Sequence, residues 1–317
     1  MVAINDFKAS YGDDDTSEGT VAENISLDDY RLRNITVGLA KQGSPNPIGI
    51  IGLGSPMGRY NGTYGARSDV LESMVDQGLI KTHSFAMYMG EHPSIVFGGY
   101  DTSKFAGRLT EVPLQPNLTG SMDNYRVNIT SLGVTHSNES STQLSPAAFS
   151  VNAMLDSGTE VSFLPLSLLH PLAAALRPLG VYDSPQAEDE YLAPCTIRDQ
   201  PGGLEIDLLA RSKDQKAQFR ITYCDLFDVA YNNDESGEAI VKDGILQCQL
   251  RVFGTAEQNT IGLNLQFMRS NYVVHNMDEL VLGIAQAVES SGDPDLRDIW
   301  PGEKFSMDLD LRQQQRQ

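Results

Sequence analysis

The chain has little of several things, and each shortage narrows what it can be. Of its 317 residues only three are cysteine, and an odd number rules out a scaffold in which every thiol pairs within the chain. Basic residues are scarce, 23 against 42 acidic ones, for a formal net charge of −19. That surplus repels nucleic acid and anionic membrane surfaces rather than binding them. It suits either plain solubility or work in an acidic medium, where carboxyls are protonated and self-repulsion falls. No apolar run approaches the roughly 18 residues of a membrane-crossing helix. No Cys/His spacing fits zinc, and His83, His92, His136, His170 and His275 are scattered and read as ordinary histidines. The glycine-rich stretches lack the lysine of a phosphate-binding loop. We therefore expect no metal, no cofactor, no nucleic-acid partner and no membrane span. The start, Met1-Val2-Ala3-Ile4-Asn5-Asp6-Phe7, carries no signal-peptide pattern.

What is present points outward from the cell. At 40% hydrophobic residues the chain can bury a core, and its length allows two domains. Six Asn-x-Ser/Thr sequons stand at Asn24, Asn34, Asn61, Asn117, Asn128 and Asn138. They exceed what chance supplies and mark N-glycosylation candidates on a secretory route. A secreted character without a leader implies a missing N-terminal portion. Cys195 and Cys248 flank a strand-rich stretch and can form one disulfide, leaving Cys224 over; three reduced thiols are the alternative.

Short alternating or β-branched runs dominate, among them Tyr125–Val134, Ser94–Gly98 and Gln247–Val252, with turn clusters between them. This predicts a mostly-β fold. Helical periodicity is confined to Asp69–Gln77, Pro165–Leu176 and Leu265–Ser270. Phe7–Asp13, with Gly19-Thr20-Val21-Ala22 after a polar turn, reads as a hairpin with Tyr11 near its tip. Asn34–Ala40, Ile48–Gly54 and Asn259–Leu263 read as further strands, the last two apolar and glycine-containing. Leu114–Asn124 is polar and turn-rich, a linker between lobes. Beyond about Val288 the chain turns acidic and then Gln/Arg-rich, which predicts a disordered tail over 289–317.

The chemistry lies in Asp156-Ser157-Gly158-Thr159. Ala153-Met154-Leu155 leads in, and Val161-Ser162-Phe163-Leu164-Pro165 leads out. A tight turn between two apolar strands holds a carboxylate at the floor of a cleft. Gly158 gives the turn freedom in φ, while Ser157 and Thr159 offer hydroxyls to fix the carboxylate. The chain holds no second copy of this motif.

Taken in order, these pieces resemble the pepsin-like aspartic proteases, with a flavour of the fungal secreted and yapsin-like members. They are the Tyr11 hairpin, Ile48–Gly54, Phe97-Gly98-Gly99-Tyr100-Asp101, the Asp156 motif, Asn259–Leu263, and Tyr272-Val273-Val274 through Leu282-Gly283-Ile284-Ala285. The resemblance covers roughly residues 7–287. It implies a bilobal pepsin-like acid protease fold with an incomplete N-terminal lobe. Residues 1–118 would be the remainder of that lobe with its flap, and 119–288 the C-terminal lobe with the catalytic loop. The implied activity is aspartic endopeptidase action on protein or peptide substrates by a monomer, secreted or cell-wall associated. Asp156 would be the catalytic aspartate of the C-terminal lobe. Ser157 would form half of a hydroxyl grip between two active-site loops, and Thr159 would bond the aspartate's outer oxygen. Tyr11 and Gly12 would belong to the flap; Ile261-Gly262 and Ile50-Ile51-Gly52 would each brace one active-site loop. The family's first Asp-Thr/Ser-Gly precedes the flap, and no such motif stands there in this chain. The expectation is a truncated chain, inactive alone, with a non-catalytic peptide-binding or inhibitor-like relative as the alternative.

Overall fold

The computed structural model describes residues 8–11, 15–18, 20–27, 30–38, 50–54, 70–117, 120, 122, 124–212, 217–233, 237–289 and 292–305. Two antiparallel hairpins come first: β1 (Lys8–Tyr11) with β2 (Asp15–Glu18), then β3 (Thr20–Leu27) with β4 (Tyr30–Gly38). Thr20-Val21-Ala22, expected to complete the first hairpin, instead opens the second. Helix α1 (Val70–Asp76) follows, and its Met74 packs with Leu32 and Ile35 of β4 in a small core. Gln77 closes that contact, donating to the Arg33 carbonyl at 3.1 Å and accepting from the Arg33 N–H at 3.0 Å.

Next come β5 (Ser84–Tyr88), β6 (Ser94–Phe97), β7 (Gly99–Asp101) and β8 (Thr110–Pro113). After residue 124 follow β9 (Arg126–Thr135), β10 (Ser141–Gln143), β11 (Val151–Met154), β12 (Ser162–Pro165), α2 (Leu166–Leu176), β13 (Tyr182–Asp183) and β14 (Tyr191–Pro194). The rest comprises β15 (Gly203–Leu208), β16 (Gln218–Thr222), the single turn α3 (Tyr223–Leu226), β17 (Phe227–Val229), β18 (Val241–Lys242), β19 (Ile245–Leu250) and β20 (Val252–Thr255). It closes with β21 (Ile261–Gly262), α4 (Leu265–Ser270), β22 (Asn271–Asn276), β23 (Val281–Gln286) and β24 (Leu296–Asp298). The three helical segments read from periodicity are all present.

The largest sheet runs β16-β15-β9-β11-β21-β12-β20, with β10 added on β9. Alternation explains its core face: Val127 and Ile129 of β9, Leu204, Ile206 and Leu208 of β15, and Phe219 and Ile221 of β16 are all buried. Helix α2 lies against β12 and β20 and buries Leu168, Leu169, Leu172 and Leu176, an i, i+3, i+4 stripe. Each such leucine contributes about 1.5–3 kcal/mol relative to exposure. A second sheet, β13-β14-β19-β17 with β18 on β19, is tied to its flank by the Cys195–Cys248 disulfide, which leaves Cys224 free and exposed.

The third sheet, β6-β5-β22-β23-β8, takes strands from both sides of residue 118. Successive residues alternate between two cores: Phe85, Met87, Val273 and Ile284 join the main one. Tyr88, Tyr272 and Val274 join a second, completed by Tyr100, Ile299 and Phe305. Residues 292–305 thus correct the expectation of a disordered tail, because β24 pairs with β7 and both Ile299 and Phe305 are buried. A few apolar residues suffice where the receiving surface is built elsewhere in the chain. Residues 306–317 lie outside the described residues. The strand expected at Ile48–Gly54 is corrected over residues 50–54, which pair with no strand among the described residues and expose Ile50 and Ile51; residues 48–49 lie outside the described residues.

Candidate active site

Asp156 sits on the loop between β11 and β12, and β21 is threaded between those two strands. β21 runs parallel to β11 (Ala153 beside Ile261) and antiparallel to β12 (Phe163 beside Gly262). Buried Leu155 anchors the loop's entrance, its N–H donating to the Tyr125 carbonyl at 2.8 Å. The Asp156 carboxylate is then fixed at both oxygens. The Gly158 N–H donates to Oδ1 at 2.9 Å and the Thr159 hydroxyl to Oδ2 at 2.7 Å. The carboxylate is half-buried, so a face remains open to a reactant.

Gly158 is needed for a reason the sequence did not suggest. Its φ is not in the left-handed region. A Cβ there would stand 3.2 Å from Asp156 Oδ1, so the close approach of the carboxylate, not backbone freedom, favours glycine. Thr159 bonds the aspartate as the resemblance implied. Ser157 is exposed, and its hydroxyl has no partner among the described residues.

The segment after β21 clamps the loop from below. Leu263 N–H donates to Met154 O at 2.8 Å, and Leu265 N–H to Thr159 O at 3.3 Å. The Asn264 side chain donates to Val161 O at 2.7 Å, and the Gln266 side chain to Glu160 O at 2.6 Å. Ser162 Oγ links them, donating to Gln266 Oε1 at 3.0 Å and accepting from Asn264 N–H at 3.3 Å. Asn264 and Gln266 are buried, and Gly262 leaves room for Asn264, whose amide would stand 3.0 Å from a Cβ there. Sequence reasoning passed over both residues. The signal was their alternation with Leu263, Leu265 and Phe267 in an otherwise apolar run.

Tyr125 joins this loop to two other regions. Its hydroxyl donates to the Leu53 carbonyl, and its ring meets His275 edge-on, with centroids 4.5 Å apart. His275 stacks on Phe85 at 4.2 Å and is buried, its Nδ1 without a partner among the described residues. Burial lowers its pKa from 6.5 to about 3, against a smaller opposing effect of a hydrogen bond with the Phe85 backbone.

The other expected site residues lie on other elements or outside the described residues. Tyr11 ends β1 opposite Asp15, at the hairpin's tip, while Gly12 lies outside the described residues. Asn24, Asn34 and Asn138 are exposed, Asn117 and Asn128 are half-buried, and Asn61 lies outside the described residues. Among the described residues no cluster of His, Cys, Asp and Glu is arranged to hold a metal, and no helix is long and apolar enough to cross a membrane.

The family model described as "Eukaryotic aspartyl protease" matches residues 3–287. The chain belongs to this family. Among similar aspartyl proteases is the "Probable aspartic-type endopeptidase opsB" of Aspergillus fumigatus, 28% identical over 94% of this chain and 59% of the relative. Candidapepsin-3 of Candida albicans is 26% identical over 88% of this chain and 63% of its own length. Aspartic proteinase MKC7 of Saccharomyces cerevisiae is 25% identical over 89% and 47% respectively. The chain thus spans less than two thirds of the length of each of these relatives. The crystal structure of the aspartic proteinase from Irpex lacteus superposes with a TM-score of 0.65 at 17% identity, covering 90% of this chain and 83% of that one, which establishes the pepsin-like fold.

Proposed function

We propose that this chain carries one half of the catalytic dyad of a secreted aspartic endopeptidase, with Asp156 as the catalytic carboxylate. The observation that carries the reading is the Asp156 carboxylate itself, held at both oxygens by Gly158 and Thr159 on a loop braced from beneath, in a chain of the aspartyl protease family. Peptide hydrolysis by this chemistry needs a pair. Two carboxyls a few ångströms apart share one proton, and the ionised member takes a proton from a bound water while the protonated one donates to the scissile carbonyl. Asp156 supplies one member. The sequence has a single Asp-Ser/Thr-Gly, so the second carboxylate comes from polypeptide other than these 317 residues, and the chain alone is inactive. Ser157, exposed beside Asp156, is free to meet that second loop. Tyr11, at its hairpin tip, would close over peptide substrate. The six sequons, the disulfide and a relative named "Secreted aspartic protease 3" favour a secreted or cell-wall location.

The test uses the chain as it stands beside a version extended by its own upstream reading frame. Incubated with a denatured protein at acid pH, the extended version should cut and the 317-residue chain should not. Asp156→Asn in the extended version should lower kcat on the order of 10⁴-fold or more, since paired catalytic groups act as a unit. Cleavage by the chain alone refutes the split dyad. An extended version that binds a statine-type inhibitor without cutting would assign the chain to the non-catalytic alternative.

A further inference from the structure

We propose that Asn138 carries an N-linked glycan whose first sugar rests on the cavity beside the β9–β10 hairpin, and that Asn128 carries none. The two sequons lie on the same strand-turn-strand unit but in opposite settings. Asn138 is exposed in the turn, where His136 N–H bonds Ser140 O at 2.8 Å and Glu139 takes a positive φ of 65°. Its side-chain oxygen accepts from the Ser140 N–H at 3.0 Å and from the Ser140 hydroxyl at 2.6 Å. Both bonds use the carbonyl oxygen, so the amide nitrogen, the atom that takes the sugar, is left out of them.

Asn128 lies within β9, paired across the sheet with Asn152 of β11. Its amide nitrogen donates to Ser150 Oγ at 3.1 Å and to Asn152 Oδ1 at 3.0 Å. A glycan would leave that nitrogen one hydrogen for two acceptors and would place a sugar against a half-buried face of the sheet. The folded chain therefore disfavours it.

The seat is a cavity of about 620 Å³, within the ~300–1,000 Å³ range of small-ligand sites. Ser137 and Glu139, the chain neighbours of Asn138, line it together with Thr135, Gln143, Glu205 and Arg220. Arg220 and Glu205 pair with each other and the Gln143 amide donates to Ser131 and Ser145, so sugar hydroxyls would join an existing polar network, and Asp156 is not among the lining residues. A glycan there also shields β10, which among the described residues pairs on one side only, with β9. In the transfer, the Asn138 amide nitrogen attacks the anomeric carbon of an N-acetylhexosamine carried on a lipid pyrophosphate. The N–C bond forms, the C–O bond to pyrophosphate breaks, the lipid pyrophosphate leaves and one amide proton is released.

The inference rests on the secretory part of the proposed function, and its test supplies a foreign leader so that its failure leaves that reading untouched. The full chain is expressed behind that leader in a yeast, and the protease-resistant fraction is de-N-glycosylated enzymatically in heavy-oxygen water and mapped by peptide mass spectrometry. Heavy aspartate at position 138 in most molecules, with unlabelled Asn128, is expected. An unlabelled Asn138, or labelling of Asn128 as frequent as that of Asn138, overturns the assignment. If no chain resists protease, the whole pool is compared with Asn138→Gln: loss of one glycan mass supports the site, and an unchanged mass overturns it. Hydrogen exchange over 131–143 should quicken when the glycan is removed from folded protein; unchanged exchange overturns the cavity as its seat.

Discussion

Two stretches of this chain look alike in sequence and behave oppositely. Ile261-Gly262 and Ile50-Ile51-Gly52 are both isoleucine-glycine runs followed by a leucine, and the family resemblance gives both the task of bracing an active-site loop. Ile261 is 2% exposed, while Ile50 and Ile51 are 64% and 54% exposed. The difference lies in what flanks them. β21 has β11 on one side and β12 on the other, whereas residues 50–54 pair with no strand among the described residues. Apolar character makes a segment able to brace a loop; only the presence of the two strands makes it do so.

The comparison can be broken most directly at the isoleucines. Ile261→Ala should cost about 2–5 kcal/mol through the cavity it leaves, while Ile51→Ala should stay within about 0.5 kcal/mol, both read from urea denaturation. Equal costs would mean that the two runs are equivalent after all. A second effect concerns His275, which meets edge-on the Tyr125 ring whose hydroxyl bonds Leu53. Its folded pKa of about 3 lies below the unfolded 6.5, so on acidification the unfolded chain takes up the proton first. Stability present above 6.5 is then lost as pH falls toward 3, at about 1.4 kcal/mol per pH unit. His275→Phe should flatten that slope, measured as the unfolding midpoint at neutral pH and in acid. This loss runs against the relief that the acidic surface gains at low pH, so the two must be separated by the variant rather than by a scan of the parent alone.

Smaller effects sharpen the picture. Gln266→Leu removes the donor to Glu160 O and the acceptor for Ser162, and should cost about 1–3 kcal/mol, with faster amide exchange at 159–162. Tyr125→Phe removes the hydroxyl bond to Leu53, and should cost about 1 kcal/mol. Limited proteolysis should then quicken at 50–54 and not at the Asp156 loop, whose tie to Tyr125 is through the backbone carbonyl.

Local pattern made much of this legible. The period-two runs at Tyr125–Val134 and Gln247–Val252 became β9 and β19, and the periodic stretch ending at Leu176 became α2, because there the burying surface and the sequence period agree. The Asp156 loop was legible too, as an apolar-turn-apolar pattern carrying a carboxylate. What was hidden depends on partners distant in sequence. The register of β1 with residues 15–18, the lack of a partner strand for 50–54 among the described residues, and the docking of 292–305 are set by what stands opposite. Gly158 was picked out for the wrong reason, since nothing local says that a carboxylate will lie 3.2 Å from its missing Cβ. The clamp at Asn264 and Gln266 was written as polar letters in an apolar run, and only the structure says which carbonyls they serve.

The docking of residues 292–305 bears on where the protein can be cut. Likeness to the family model stops at residue 287, and a truncation placed there would look harmless on paper. It would remove Ile299 and Phe305, sever the Phe305 N–H bond to Glu111 Oε1 at 2.7 Å, and strip the β24 edge from β7. Tyr100 and its neighbours in the second core would then face water. The end of the family model and the end of the folding unit are different places in this chain, and an expression design should follow the second.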